Sequence, residues 1–183
     1  MSRVESVLQR LRAAGGLVSG TKSLHPLRDA VFGPGCCAGE LTEFASWWRG
    51  GLPGDYEELL SLCRSVSAPD VHNGYFIYSP LAVARQDASI PRRLHVVIGE
   101  ALEEVGVTAF AGDGAGNQFL LGMGGVGRGM VWKWSHERPV RFDGVATEGL
   151  TLEASSFVEF LERIAEDWEH FVRGDHDWVY LSG

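Results

Sequence analysis

Cysteine is scarce in this chain: three residues in 183, at Cys36, Cys37 and Cys63. An odd number with two neighbours adjacent makes no disulfide framework, and a reducing, cytoplasmic setting is the simplest expectation. Long apolar runs are missing too. Nothing approaches the roughly 20 apolar residues that a bilayer-spanning helix needs. The opening MSRVESVLQRLRAAGG carries charges throughout, so no secretory signal is expected there. Positive charge is the minority sign, with 16 Lys and Arg against 24 Asp and Glu, a formal net charge of −8. An acidic chain is repelled by nucleic acid and by anionic membrane, so neither is expected as a direct partner, whereas a basic protein surface suits it.

Several chemical signatures are also lacking. There is no G-K-[ST] after a glycine loop, no G-x-S-x-G elbow and no H-E-x-x-H. The stretch AFAGDGAGNQFLLG (Ala109 to Gly122) is rich in glycine but has neither the spacing nor the following helix of a phosphate cradle. As a calcium loop starting at Asp113 it would place Ala115 third and Gly124 twelfth, where oxygen ligands are required. A turn between two strands is the expectation, with Gly, Asp and Asn supplying the tight backbone and Phe110 and Phe119 facing the core. Zinc on Cys36, Cys37, Cys63 and His72 lacks the paired ligand spacing of such sites, and Cys63 falls on an apolar helix stripe. A nucleophilic site built from Cys36 or Cys37 with His136 and Asp143 has no local support. No catalytic residue, metal or cofactor is therefore expected.

What is present is average globular composition, 45% apolar and 22% charged, and enough length for one domain with a core. Ser2 and Glu5 have capping-box spacing, and Val4, Val7, Leu8 and Leu11 predict one apolar helical face that Gly15 and Gly16 should end. The Gly/Pro/Ser-rich stretch from Leu17 to Cys37 reads as irregular. A helix is expected over residues 38–49, then a third with Pro53 in its first turn and Tyr56, Leu59, Leu60 and Cys63 buried. RSVSAPDVHNG should break that helix and lead into a strand at YFIYSP. Further strands are expected at RRLHVVIGE, VGVTAFAG, NQFLLGMG and GMVWKWSHE, the last with Trp132 and Trp134 on one side and Val131 and Lys133 on the other. Ser156 and Glu159 open the final helix, whose face is Phe157, Phe160, Leu161, Ile164, Trp168 and Phe171, closed by Gly174. Helices, then strands, then a helix predict an α+β fold: a mainly antiparallel β-sheet with helices packed on it. Trp47 falls off its helix stripe and is a candidate exposed anchor. Trp178 sits in the tail GDHDWVYLSG, where packing back and exposure are both open, and Asp175 and Asp177 read as solvated charges.

Three segments also stand in a recognisable order: LTEFASWWRGGLPGDYEELLSLC, AFAGDGAGNQFLLGMGGVGRGMVWKWSHE and ASSFVEFLERIAED. Their Leu-Pro-x-x-Tyr and Leu-Leu, their Gly-Asp-Gly-x-Gly-Asn turn and their closing Ser-Phe-x-x-Phe-Leu helix resemble the SUKH superfamily. The resemblance implies residues 38–174 as the SUKH-like domain, 1–37 as an N-terminal helix and irregular extension, and 175–183 as a tail. The chain departs from the family between Cys63 and Asn73-Gly74, where the connection through Arg64–His72 is longer, and in its N-terminal segment. The resemblance implies a non-catalytic cytoplasmic immunity protein that binds and neutralises a bacterial polymorphic toxin domain, one with a basic active-site surface that an acidic inhibitor would suit. Asp113, Asn117, His136, Glu137 and Asp143 are the candidate contacts, as exposed polar residues near strand ends and turns. The alternatives are an intracellular scaffold or regulatory adaptor of the same fold, and a small-ligand-binding or enzymatic domain.

Overall fold

The C-terminal helix α5 (Phe157–Arg173) organises the core. Phe157, Phe160, Leu161, Ile164 and Trp168 are all at most 1% exposed. Ser156 caps its start by accepting the Glu159 N–H at 3.2 Å. The Glu159 carboxylate reaches Ser155 instead, taking its N–H at 2.9 Å and its hydroxyl at 2.6 Å, so the expected box is displaced by one residue. Gly174 ends the helix at φ 72°. The computed structural model describes residues 1–18, 30–68, 74–86, 89–175 and 177–181.

Helix α1 (Arg3–Val18) lies on α5. Its capping box forms in both directions, with the Glu5 N–H donating to Ser2 Oγ at 3.0 Å and the Ser2 N–H to Glu5 Oε2 at 2.8 Å. Val4, Val7, Leu8 and Leu11 are at most 2% exposed. Arg3 and Arg10 pair with Glu162 and Glu169 of α5 at 2.8 and 2.9 Å. Surface pairs of this kind, exposed for Arg3 and half-buried for Arg10, contribute about 1 kcal/mol or less, against roughly 1.5–3 kcal/mol for each fully buried aliphatic side chain, so the apolar face holds the two helices together. Gly15 and Gly16 do not end α1, contrary to the sequence reading. A helical glycine costs about 1 kcal/mol relative to alanine, a penalty that an anchored upstream face absorbs. The N-terminal helix thus belongs to the same core as the segment from 38 onward.

Helices α2 (Ala38–Ser46) and α3 (Gly54–Leu62) follow, α2 stopping three residues short of the expected span. Tyr56, Leu59, Leu60 and Cys63 are wholly buried, as their stripe predicts. The rings of Phe44, Phe110 and Phe157 meet Tyr56 edge-on at 6.3, 5.8 and 5.1 Å. The short helix α4 (Pro80–Ala84) was not read from sequence. Its signals are a Ser79 N-cap and a proline in the first turn, but five residues are too few to show a 3.6-residue period.

The described residues form nine strands: β1 (Val31–Phe32), β2 (Val66–Ala68), β3 (Tyr75–Ile77), β4 (Arg93–Ile98), β5 (Ala101–Gly112), β6 (Gln118–Gly122), β7 (Val131–Trp134), β8 (Val145–Ala146) and β9 (Leu150–Ala154). The order is β1-β2-β3-β5-β6-β7-β9, with β4 on the first half of β5 and β8 parallel to β4. Every other pairing is antiparallel, so the α+β class is as expected. Two stretches read as irregular contain strands: Val31–Phe32 pairs with Val66–Ala68. Pieces of two and three residues carry no alternation to detect. Residues 19–29 and 69–73, including His25, His72 and Asn73, lie outside the described residues. Strands β8 and β9 also escaped the sequence reading. Val131 faces the helix-side core, while Trp132 and Trp134 join a second cluster with Leu94, Val105, Val107 and Leu120 on the other face. Among the described residues, no helix is long and apolar enough to cross a membrane.

The sheet is packed tightly enough that some glycines have no substitute. A Cβ on Gly122 would lie 1.9 Å from the Gly127 carbonyl oxygen, in the single 3-10 turn after β6. Gly122→Ala is expected to lower unfolding free energy by about 2–3 kcal/mol, since backbone rather than a flexible side chain must give way; urea denaturation measures it. Gly124→Ala, with open space around its Cβ, is the matched control and should change stability by less than about 0.5 kcal/mol.

Candidate functional site

The glycine-rich turn between β5 and β6 is built around one carboxylate. Asp113 is 0% exposed. Its Oδ1 accepts the N–H groups of Ala115 at 3.0 Å and Asn117 at 3.1 Å. Its Oδ2 accepts Asn117 Nδ2 at 2.7 Å and lies 3.4 Å from Lys133 Nζ. Gly114 and Gly116 take φ values of 70° and 104°, a left-handed geometry that side chains resist. The strand–turn–strand expectation holds, with Phe110 and Phe119 both wholly buried. Asp113 is not the exposed contact expected of it. A carboxylate aimed at its own turn's N–H groups closes the turn, and these donors offset the desolvation that its burial costs.

The turn in turn fixes His136. Asn117, half-buried, donates its amide nitrogen to Asp113, which orients its Oδ1 toward β7's end. That oxygen accepts the His136 N–H at 3.3 Å and meets Nδ1 at 3.1 Å. An amide oxygen can only accept, so Nδ1 carries the proton and Nε2 is the open position. Three of the five candidates, Asp113, Asn117 and His136, therefore form one chain of hydrogen bonds. Glu137 is exposed on the following turn and joins none of it.

Asp143 lies apart, on a turn beside β4. Its Oδ2 accepts Arg141 Nη2 at 2.8 Å, its Oδ1 the Val145 N–H at 3.3 Å, and its carbonyl Arg93 Nη2 at 2.9 Å. Gly144 closes the turn onto the Arg141 carbonyl at 2.8 Å with φ 80°. This frame displays Phe142, which is fully exposed (110%). Phe142 is not among the sequence candidates, although a phenylalanine inside an Arg-Phe-Asp-Gly turn has no core to face.

A groove of about 350 Å³ lies between α2 and α4. Trp47 (47% exposed) and Leu81 (60%) stand over it, and Phe44 and Pro80 line it. Trp47 is set edge-on to Phe44, ring centres 5.1 Å apart, so its position is fixed while much of its surface stays open. Two acids line the groove, and they differ. Glu40 is committed: it accepts the Cys37 N–H at 2.8 Å and pairs with Arg64 at 3.1 Å. Those bonds from Cys37, then the charge of Arg64, hold its carboxyl below the usual range. Glu43 has no ion pair among the described residues. Nearby α3 exposes Asp55 and Glu57, also unpaired among the described residues. The exposure expected for Trp47 is present; Leu81 went unread because α4 did.

The three thiols are free and differ in access. Cys36 and Cys63 are buried, Cys37 is exposed. Burial raises the Cys36 thiol and pushes that of Cys63 up to about 11. Iodoacetamide at neutral pH should label Cys37 alone in the native protein, and all three thiols in urea; mass spectrometry reads the count. Trp178 resolves toward packing back: its ring stacks on His170 at 3.7 Å and its Nε1 donates to the buried Asp167 at 2.6 Å. Asp175 binds His170 at 2.8 Å, while Asp177 is exposed; His176 lies outside the described residues.

No family model matches the chain, and no curated protein matches it at a significant level.

Proposed function

We propose that this protein is a SUKH-like immunity protein, acting in the cytoplasm, that neutralises a toxin domain by binding it and covering its active site. The observation that carries the reading is the α2–α4 groove, where Trp47 and Leu81 present fixed, open apolar surface beside an uncommitted Glu43. Aromatic anchors set in an apolar surface with a charged rim are the pattern of interface hot spots. The occupant that fits is an apolar side chain flanked by Lys or Arg on the toxin's basic face. The net charge of −8 favours fast encounter with such a face. The order of motifs in the sequence supports the same reading, and the exposed Phe142 adds a second anchor on a separate face.

The test is direct. The toxin domain encoded beside this gene is co-expressed with the protein. A stoichiometric complex on size-exclusion chromatography, together with restored growth, is the expected result. Capture of endogenous proteins only, with no rescue, would move the assignment to a scaffold or adaptor. Rescue that requires turnover of a small substrate would move it to an enzyme.

A further inference from the structure

The turn that locks His136 also forms one wall of a second groove, about 460 Å³, on the sheet face away from the helices. Trp134, Gln118, Ile90, Arg138 and Val140 line it with His136. Three of these side chains have unused hydrogen-bonding capacity. The Arg138 guanidinium is exposed and has no ion pair or hydrogen bond among the described residues. His136 has its Nδ1 engaged by Asn117 and its Nε2 open as an acceptor. Trp134 is 4% exposed, yet its Nε1–H finds no acceptor among the described residues. Ile90 and Val140 pack against the second apolar cluster and supply the apolar wall. Arg138 and His136 belong to one reverse turn, closed by the Arg138 N–H on the Ser135 carbonyl at 3.0 Å, and both line the groove.

Cation, open imidazole nitrogen and apolar wall together select a ligand with an anion, an N–H donor and an apolar body. We propose that this groove binds an N-acylated α-amino acid with an apolar side chain, as found free or at the C-terminus of a polypeptide, its carboxylate on Arg138, its amide N–H on His136 Nε2 and its side chain against Ile90 and Val140. A guanidinium prefers a carboxylate because the two planar groups match in paired hydrogen bonds. The acidic chain as a whole does not favour an anion, so recognition here is local to Arg138. The inference concerns a different face from the α2–α4 groove and does not depend on the identity of any toxin.

The protein alone suffices for the test. Uniformly ¹⁵N-labelled protein is titrated with N-acetyl-L-leucine while the Trp134 indole N–H resonance is followed by NMR. The expected result is a saturable shift that N-acetyl-L-leucinamide reproduces at least about tenfold more weakly, since the amide lacks the charge-assisted bond. Arg138→Gln should lose the same factor, and its exposed position leaves the fold intact, checked by the dispersion of the spectrum. His136→Phe should weaken both ligands alike, because it removes the acceptor for the amide N–H. A pentapeptide ending in leucine, compared with its C-terminally amidated form, separates the two sources: tighter binding than the acetylated amino acid assigns the groove to a polypeptide end, weaker binding to the small molecule. Equal binding of acid and amide, an unchanged Arg138→Gln titration, or no saturable shift overturns the proposal.

Discussion

Asp167→Ala is expected to destabilise the protein by roughly 2–5 kcal/mol and to release its C-terminal tail, since several buried donors lose their one acceptor. The reason lies in where α5 places this residue. Asp167 is 2% exposed on an otherwise apolar face. It accepts the Tyr75 hydroxyl from β3, the Trp178 indole N–H at 2.6 Å and the Leu181 N–H at 2.9 Å. One carboxylate thus ties a strand, a helix and the tail. Truncation leaves the Trp178 and Leu181 donors without the acceptor they were buried against, and each such donor costs about 1–3 kcal/mol. Asp167→Asn separates charge from geometry. Its amide keeps one accepting oxygen but presents N–H where an acceptor is needed, so it should recover only part of the loss. Urea denaturation gives the free energies, and carboxypeptidase digestion at native conditions reads the tail. A tail that stays protected in Asp167→Ala, with stability changed by less than about 1 kcal/mol, would show that the apolar packing of Leu181 alone holds it.

Asp167 also marks the limit of what the sequence makes legible. The pattern of α5 is readable because six large residues recur at helical spacing, and the cap residues at both ends agree with it. The central strands are readable because alternation and a glycine turn coincide, as in the split of Val131 from Trp132 and Trp134. A carboxylate inside the apolar face reads as one more solvated acid, because its three partners come from β3 and from the tail, far away in sequence. The same holds for Asp113. Its neighbours Gly114 and Gly116 announce a turn, but the burial of its carboxylate depends on β7 bringing Lys133 across. The sequence candidates are polar residues near turns. That criterion finds Asn117 and His136, whose cluster does border a groove, but it cannot see that, among the described residues, Arg138 is uncommitted and Trp134 unsatisfied. The α2–α4 groove was half legible: Trp47 stands off its stripe in the sequence, whereas Leu81 lies on a helix too short to be recognised by period.

Trp47→Ala should weaken the proposed complex with a toxin domain by about 100-fold or more, equivalent to roughly 3 kcal/mol, the magnitude of a central aromatic hot spot. The indole is already 47% exposed in the free protein and held edge-on to Phe44. Its position therefore requires little further ordering on binding, which is what lets buried area appear as affinity. The same exposure limits the damage to the fold, and stability should fall by no more than about 1 kcal/mol. Leu81→Ala, across the groove and 60% exposed, should cost less, since leucine is under-represented among hot spots. Glu43→Gln should act differently from both. It removes a rim charge that has no ion pair among the described residues, so the association rate and its salt dependence should fall while dissociation changes little. Calorimetry and stopped-flow kinetics on the purified pair distinguish these effects. Affinity within threefold of wild type for Trp47→Ala would place the contact elsewhere, and Phe142→Ala then becomes the decisive variant, because that ring touches the fold least and has the most surface to lose to a partner.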